Sequence, residues 1–226
     1  MEVSNLQKLN NDGYLYAPKI IMDPKNLYFP PPKDENNNNK TGALVYEGDE
    51  PKFIEDIDEL DVPTSYSRYR YPSYHQVHKL IGKAIENILQ IDLFPTYYYE
   101  RCYWKGSVLE RHTDRPACEI SISIQVSSNT KPWPIFFKKP NGEESSVTMN
   151  DGDGVIYKGI EIEHWRNRLD SKYNRFQRYI KKLRKIKISR HILALSHLSC
   201  GKRRVETVCR SKIRHQEKQK QLHLNT

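Results

Sequence analysis

The chain has 226 residues, with 37 Lys+Arg against 28 Asp+Glu and a formal net charge of +9. That length suits one domain with appendages and a real hydrophobic core. It contains no long apolar run and no signal-peptide pattern, its start MEVSNLQKLNND being polar, which argues against a membrane span and for a cytoplasmic location. Cys102, Cys118, Cys200 and Cys209 lack the paired spacing of a zinc site or a disulfide scaffold, so a reducing interior is expected.

The charge is unevenly spread. Residues 166–226 hold 19 Lys+Arg against three acids, a local +16, which leaves 18 against 25 and a local −7 in residues 1–165. Such asymmetry fits either a tail for acidic partners, nucleic acid among them, or a merely solvated basic segment.

In chain order, residues 1–61 read as loosely structured. FPPP at 29–32 is a proline-stiffened extended stretch, 36–39 is an asparagine run, and 49–61 reads as an acidic surface loop. A domain over 62–198 follows. Ser73 after Pro72 can cap a helix in which Val77, Leu80, Ile81, Ala84, Ile85, Ile88 and Leu89 form one apolar stripe, with His78 on its polar side. From Phe94 the chain reads as short strands. Residues 97–104 are aromatic and β-favouring. In 119–126, Ile120, Ile122, Ile124 and Val126 alternate with Ser121, Ser123 and Gln125, the period of a half-buried strand. Strands over 134–138, 145–149, 155–157 and 160–165 follow, with turns at Pro140-Asn141-Gly142 and Asp151-Gly-Asp-Gly154. The second turn has two aspartates but not the twelve-residue ligand pattern of a calcium loop. Many short strands broken by frequent turns indicate a mostly β sandwich or jelly roll with flanking helices.

Two residues carry the chemistry. His112 and Asp114 sit two apart just before the alternating strand, and in an extended segment such residues share a face. An imidazole and a carboxylate side by side are two ligands of one metal. One more histidine from a distant strand would complete a two-histidine, one-carboxylate face of the kind that holds ferrous iron with open positions opposite, and His164, in IEIEHWR, is the candidate.

Beyond that point 169–187 is very basic, with Tyr173, Phe176, Tyr179, Ile180 and Leu183 at roughly helical spacing, and reads as a helical insertion. The segment 190–198, RHILALSHL, fits a strand or a helix, and 199–226 has the composition of a disordered basic tail.

Over residues 62–165 the chain resembles the iron(II)- and 2-oxoglutarate-dependent dioxygenases, in the prolyl 4-hydroxylase-like branch. The resemblance rests on Tyr103, Gly106, His112-x-Asp114 and the strand after it, Gly152-Asp-Gly154-Val-Ile-Tyr157, and His164. HTDRPACEIS and YKGIEIEHWR are similar to a bacterial and phage-type subgroup. The resemblance implies a double-stranded β-helix, the jelly-roll oxygenase core, with metal ligands pointing inward at the mouth of a funnel. It implies His112, Asp114 and His164 as iron ligands, with no catalytic residue beyond them, and Fe(2+) and 2-oxoglutarate as cofactors, with ascorbate as supporting reductant. Tyr103 lies where relatives place a tyrosine that hydrogen-bonds 2-oxoglutarate, and a core aromatic is the other reading of it. Relatives anchor the far carboxylate of 2-oxoglutarate with a basic residue about ten positions after the distal histidine. Arg175 has that spacing but falls in the insertion, so Arg190, at the start of the later strand-like segment, is the expected anchor. The implied activity is hydroxylation of a peptidyl residue, proline by preference, or of a small molecule. The alternatives are a degenerate jelly-roll binding module without turnover, and a nucleic-acid-associated oxygenase that uses the basic tail.

Overall fold

A computed structural model describes residues 3–27, 42–54, 65–128, 132–170 and 191–200. The FPPP segment, nearly all of the basic insertion, Arg175, Arg190 and residues 201–226 lie outside the described residues. The elements are α1 (Asn5–Asp12), β1 (Tyr14–Ala17), β2 (Gly42–Glu47), β3 (Glu50–Ile54), β4 (Ser65–Tyr69), α2 (His75–Leu89), β5 (Leu93–Tyr103), β6 (Leu109–His112), β7 (Ile120–Gln125), β8 (Ile135–Lys138), β9 (Glu144–Val147), β10 (Gly154–Tyr157), β11 (His164–Arg166) and β12 (His191–Cys200).

The strands form two sheets. The larger runs β1-β10-β7-β12-β5-β4-β2-β3 and the smaller β6-β11-β8-β9. Strands consecutive along the chain mostly lie in different sheets or apart in one, which is jelly-roll connectivity. Every pair is antiparallel except β2 with β4. Between the sheets lies an aromatic-rich core of Tyr103, Trp133, Ile135, Phe137, Val155 and Tyr157. A second core of Leu9, Ile81, Ile85, Leu89, Ile122, Ile124 and Ile156 seals α1 and α2 onto the outer face of the larger sheet.

That two-sided packing corrects the reading of residues 119–126. The strand is buried on both faces, not half-buried. Its isoleucines meet the helices, while Ser121, Ser123 and Gln125 face the space between the sheets, where Ser121 reaches Asp114 and Ser123 reaches the Tyr157 hydroxyl. The polar half of the alternation marks a lined interior, not solvent.

The helix also departs from expectation. It begins at His75, after a 3-10 turn over Pro72–Tyr74 that contains Ser73, and has no side-chain cap. Its buried stripe is His78, Ile81, Ile85 and Leu89, while Leu80 is 70% exposed. His78 replaces Leu80 in the stripe because its ring packs on Tyr98, centroids 4.9 Å apart. Nor are residues 1–61 uniformly loose. Ser4 and Gln7 form a capping box at the start of α1, β1 becomes the edge partner of β10, and β3, paired with β2 in a hairpin, falls within the stretch expected as an acidic loop. Of the segment 190–198, residues 191–198 belong to a strand: β12 lies between β5 and β7 in the middle of the larger sheet.

The Asp-Gly-Asp-Gly run is a turn built around one carboxylate. Asp153 accepts hydrogen bonds from the Tyr16 hydroxyl at 2.6 Å, the Lys19 N–H at 2.9 Å, and the backbone and side-chain N–H groups of Asn150 at 2.8 and 3.0 Å. Gly152 before it has φ +90°, and a Cβ there would strike the Ile21 carbonyl, so both backbone conformation and close approach require glycine. Burial alone would raise the Asp153 pKa, but these donors hold it below the usual aspartate value. A carboxylate whose pKa is depressed by folding contributes stability above its unfolded pKa and loses it as the pH falls through the folded value. Asp153→Ala should therefore cost on the order of 3 kcal/mol in urea unfolding at neutral pH. The difference between wild type and variant should shrink as the pH drops below the ordinary aspartate range.

Candidate metal centre

The site lies where the smaller sheet opens. His112 ends β6 and His164 begins β11, and the antiparallel register sets them directly opposite each other. Their ring centroids are 4.3 Å apart. Asp114 follows His112 by two residues and turns its carboxylate to the same place. Its Oδ1 lies 3.5 Å from His164 Nε2 and 3.8 Å from His112 Nε2. One ligand atom from each of the three falls within a span of 4.8 Å. The three side chains singled out in the sequence are thus brought together from two strands and a loop.

Each ligand is aimed by a backbone partner. His112 Nδ1 is 2.8 Å from the Glu110 carbonyl, and His164 Nδ1 is 3.0 Å from the Ile162 carbonyl. A carbonyl only accepts, so in both rings Nδ1 carries the proton and the Nε2 lone pair is left facing the centre. This is the outer arrangement by which proteins orient metal-binding histidines. Asp114 is fixed in the same way: Ser121 donates to Oδ2 at 2.5 Å, and the Asp114 N–H donates to the Gly159 carbonyl at 2.8 Å. Oδ1 is thereby turned toward the histidines.

Exposure grades across the site. The His112 side chain is 39% exposed, Asp114 11% and His164 2%, so the centre opens on the His112 side and is closed behind His164. Tyr157 and Phe137 pack on the His164 ring at 4.6 and 6.2 Å between centroids. Desolvation, and next the neighbouring His164, push the His112 pKa below its ordinary value. The neutral imidazole that a metal requires is therefore the stable form at neutral pH. The donor set of two neutral imidazoles and one carboxylate, with a solvent-facing side, suits a divalent first-row metal with open coordination positions.

Several supporting residues were not singled out in the sequence. Gly159 is one: a Cβ there would lie 2.5 Å from Asp114 Oδ2, the Cys118 carbonyl and Ser121 Oγ at once. Arg166 is another. It follows His164 by two residues, is fully buried, and donates from Nη1 to the Trp133 carbonyl at 2.6 Å. Burial pushes its pKa down to about 10, so it remains a cation at neutral pH. Arg101 lies on β5 with its guanidinium over the Tyr99 ring at 5.5 Å, and donates to Ser67 at 3.0 Å. Tyr103, the other cofactor candidate, is buried in the core against Trp133 at 4.9 Å between centroids, and its backbone pairs with His191. Arg190 lies outside the described residues. Cys102 and Cys118 are buried free thiols, both pushed up to about 12 by burial, and so are unreactive at neutral pH.

No family model and no curated protein matches the chain. Solved structures do. HygX from Streptomyces hygroscopicus, with nickel and 2-oxoglutarate bound, aligns with TM-score 0.55 and 10% identity over 87% of this chain and 86% of its own; a further structure of it also holds hygromycin B. A Pseudomonas putida prolyl-4-hydroxylase aligns with TM-score 0.52 and 13% identity over 87% of this chain and 97% of its own. A Trichoplax adhaerens prolyl hydroxylase in complex with a hypoxia inducible factor peptide fragment aligns with TM-score 0.51 and 10% identity over 85% and 86%. At these identities the likeness establishes the fold: this is the jelly-roll core that such oxygenases share.

Gly159→Ala gives a direct test of the site. The added methyl must displace the Asp114 carboxylate, so affinity for a divalent metal should fall about 10- to 100-fold by calorimetry. The thermal unfolding midpoint of the metal-free chain should fall as well, because the same methyl meets the Cys118 carbonyl and Ser121 Oγ.

Proposed function

We propose that this chain is an iron(II)- and 2-oxoglutarate-dependent dioxygenase that hydroxylates a peptidyl substrate, with proline the favoured residue. The observation that carries the reading is the convergence of His112, Asp114 and His164 with both Nε2 lone pairs already turned inward. In the resembling enzymes this is the ligand set of the iron. HygX binds 2-oxoglutarate on the same fold.

Bound together, iron(II) and 2-oxoglutarate would supply the oxidising chemistry, in which dioxygen decarboxylates the keto acid and a C–H bond of the substrate is hydroxylated. The chain's own part is positional. His112, Asp114 and His164 would hold the metal, with the Asp114 charge offsetting part of its own. Ser121 keeps Oδ1 rather than Oδ2 on the metal side. Phe137 and Tyr157 close the rear of the site and confine substrate to the His112 side. Ascorbate fits as an external reductant that keeps the iron ferrous.

A tyrosine row beside the triad supports a peptide. Tyr69 stacks on Tyr99 at 4.9 Å and Tyr99 on Tyr97 at 6.4 Å between centroids, and the Tyr97 hydroxyl lies 3.3 Å from Cys118 Sγ, in the turn that follows Asp114. Proline-containing extended segments dock on surfaces lined by aromatic rings. Two of the similar structures are prolyl hydroxylases, whereas HygX with hygromycin B represents the small-molecule alternative. The binding-module alternative drew on the irregular closing segment, and that segment forms a paired central strand. A nucleic-acid role for the basic residues beyond 170 concerns positions outside the described residues. No helix among the described residues is long and apolar enough to cross a membrane.

Full-length protein given iron(II), ascorbate, dioxygen and carboxyl-labelled 2-oxoglutarate should release labelled carbon dioxide faster when proline-containing peptides are added. The peptide should gain one oxygen by mass spectrometry. Asp114→Ala and His164→Ala should each abolish the release, while His78→Ala, His191→Ala and His197→Ala retain it. Iron-loaded wild type that turns over neither peptides nor aminoglycosides would point instead to the binding module.

A further inference from the structure

Arg166 is placed where a structural arginine is hard to explain. Its side chain is 0% exposed, yet among the described residues Nε and Nη2 have no hydrogen-bond partner. Leaving charged donors buried and unpaired is costly, and such groups ordinarily have a partner. The two orphans are not a random pair. Nε–H and the facing Nη2–H lie on one edge of the guanidinium and point in parallel, forming the fork that takes both oxygens of a carboxylate. The third side is used: Nη1 donates to the Trp133 carbonyl, and the guanidinium lies 4.7 Å over the Trp133 ring. The arginine is therefore held from one side and open on the edge suited to an anion.

The direction is set by β11. His164 and Arg166 are two residues apart on one strand; although the pairing with β6 shifts between them, both meet the inner core, His164 at Tyr157 and Arg166 at Trp133, while Trp165 stacks on Phe136. The same interior holds Tyr157, whose ring lies 4.6 Å from that of His164, and Tyr103, whose ring packs at 4.9 Å on the Trp133 ring that the guanidinium covers. Residues two apart in a strand are separated by about 7 Å. That is the span of a five-carbon dicarboxylic acid whose keto end lies at the His164 side.

The geometry points to Arg166 as the anchor of the distal carboxylate of 2-oxoglutarate, in place of a basic residue about ten positions beyond His164. This rests on the proposed function, and deepens it by assigning the cosubstrate's far end to a residue of the metal-bearing strand. It makes the strand a ruler, with the metal ligand at one notch and the carboxylate fork at the next.

The test is calorimetric and needs no turnover. The full chain loaded with nickel(II) is titrated with 2-oxoglutarate and with 2-oxopentanoate, which has a methyl in place of the distal carboxylate. Wild type should bind 2-oxoglutarate about 100-fold more tightly. Arg166→Gln should erase that preference while leaving nickel and 2-oxopentanoate binding near wild type, and Arg190→Gln should leave the preference intact. Arg166→Lys keeps the charge without the fork, and should lower the preference by about tenfold even if the Gln variant fails to fold. If wild type shows no preference, if either Arg166 variant keeps it in full, or if Arg190→Gln removes it, the anchor is elsewhere and the oxygenase reading survives. If nickel-loaded wild type binds neither keto acid, the proposed function fails and this assignment with it.

Discussion

The carbonyls of Glu110 and Ile162 decide which nitrogen of His112 and His164 faces the funnel. Each is two residues upstream of its histidine, Glu110 within β6 and Ile162 in the turn before β11, so each histidine and the acceptor that orients it come on one short stretch of chain. The register His164↔His112 then brings the two lone pairs together. Everything larger in the fold can be understood as holding that register. The two sheets pack on aromatic side chains between them, and α1 and α2 brace the larger sheet from outside. A shift by one residue would turn every inward side chain outward, so a tightly packed interior and a precise ligand set are the same constraint.

Asp114 depends on a different kind of support. It sits on a loop, where backbone position is less constrained. Its position is fixed by contacts from one strand and one turn: Ser121 from β7, the Gly159 carbonyl, and the space that glycine leaves open. The turn carrying Gly159 follows β10 directly, and β10 pairs with β7. Ser121 of β7 and the glycine after β10 thus meet at the carboxylate because neighbouring strands deliver them there.

The pattern of what was legible follows from these physics. His112, Asp114 and the alternation after them are local, and strand periodicity alone puts the first two on one face. His164 was legible through its resemblance to a known spacing. The face of α2 was misjudged because His78 was scored as polar, whereas its ring packs on Tyr98 like any aromatic. The Ser121, Ser123 and Gln125 face was read as solvent because one strand cannot reveal that a second sheet covers it. The need for Gly159 is a three-body collision among distant residues, invisible in any local window. Arg166 is the instructive omission. The two-residue rule that paired His112 with Asp114 applies equally to His164 and Arg166, but an arginine in a basic stretch of sequence gives no hint that it is buried. Tyr103 reads from sequence as a core aromatic or a cofactor contact, and the structure packs it in the core against Trp133, with the Arg101 guanidinium 6.0 Å from its ring.

The central claim is that His112, Asp114 and His164 form one iron site that also accepts a keto acid. Anaerobic titration of the full chain with iron(II) in the presence of 2-oxoglutarate, followed by the visible charge-transfer absorption of the chelated keto acid, tests it most directly. Wild type should develop the band to a one-to-one end point, and Asp114→Ala, folded by circular dichroism, should not. A full-strength band from Asp114→Ala would place the metal elsewhere and contradict the account.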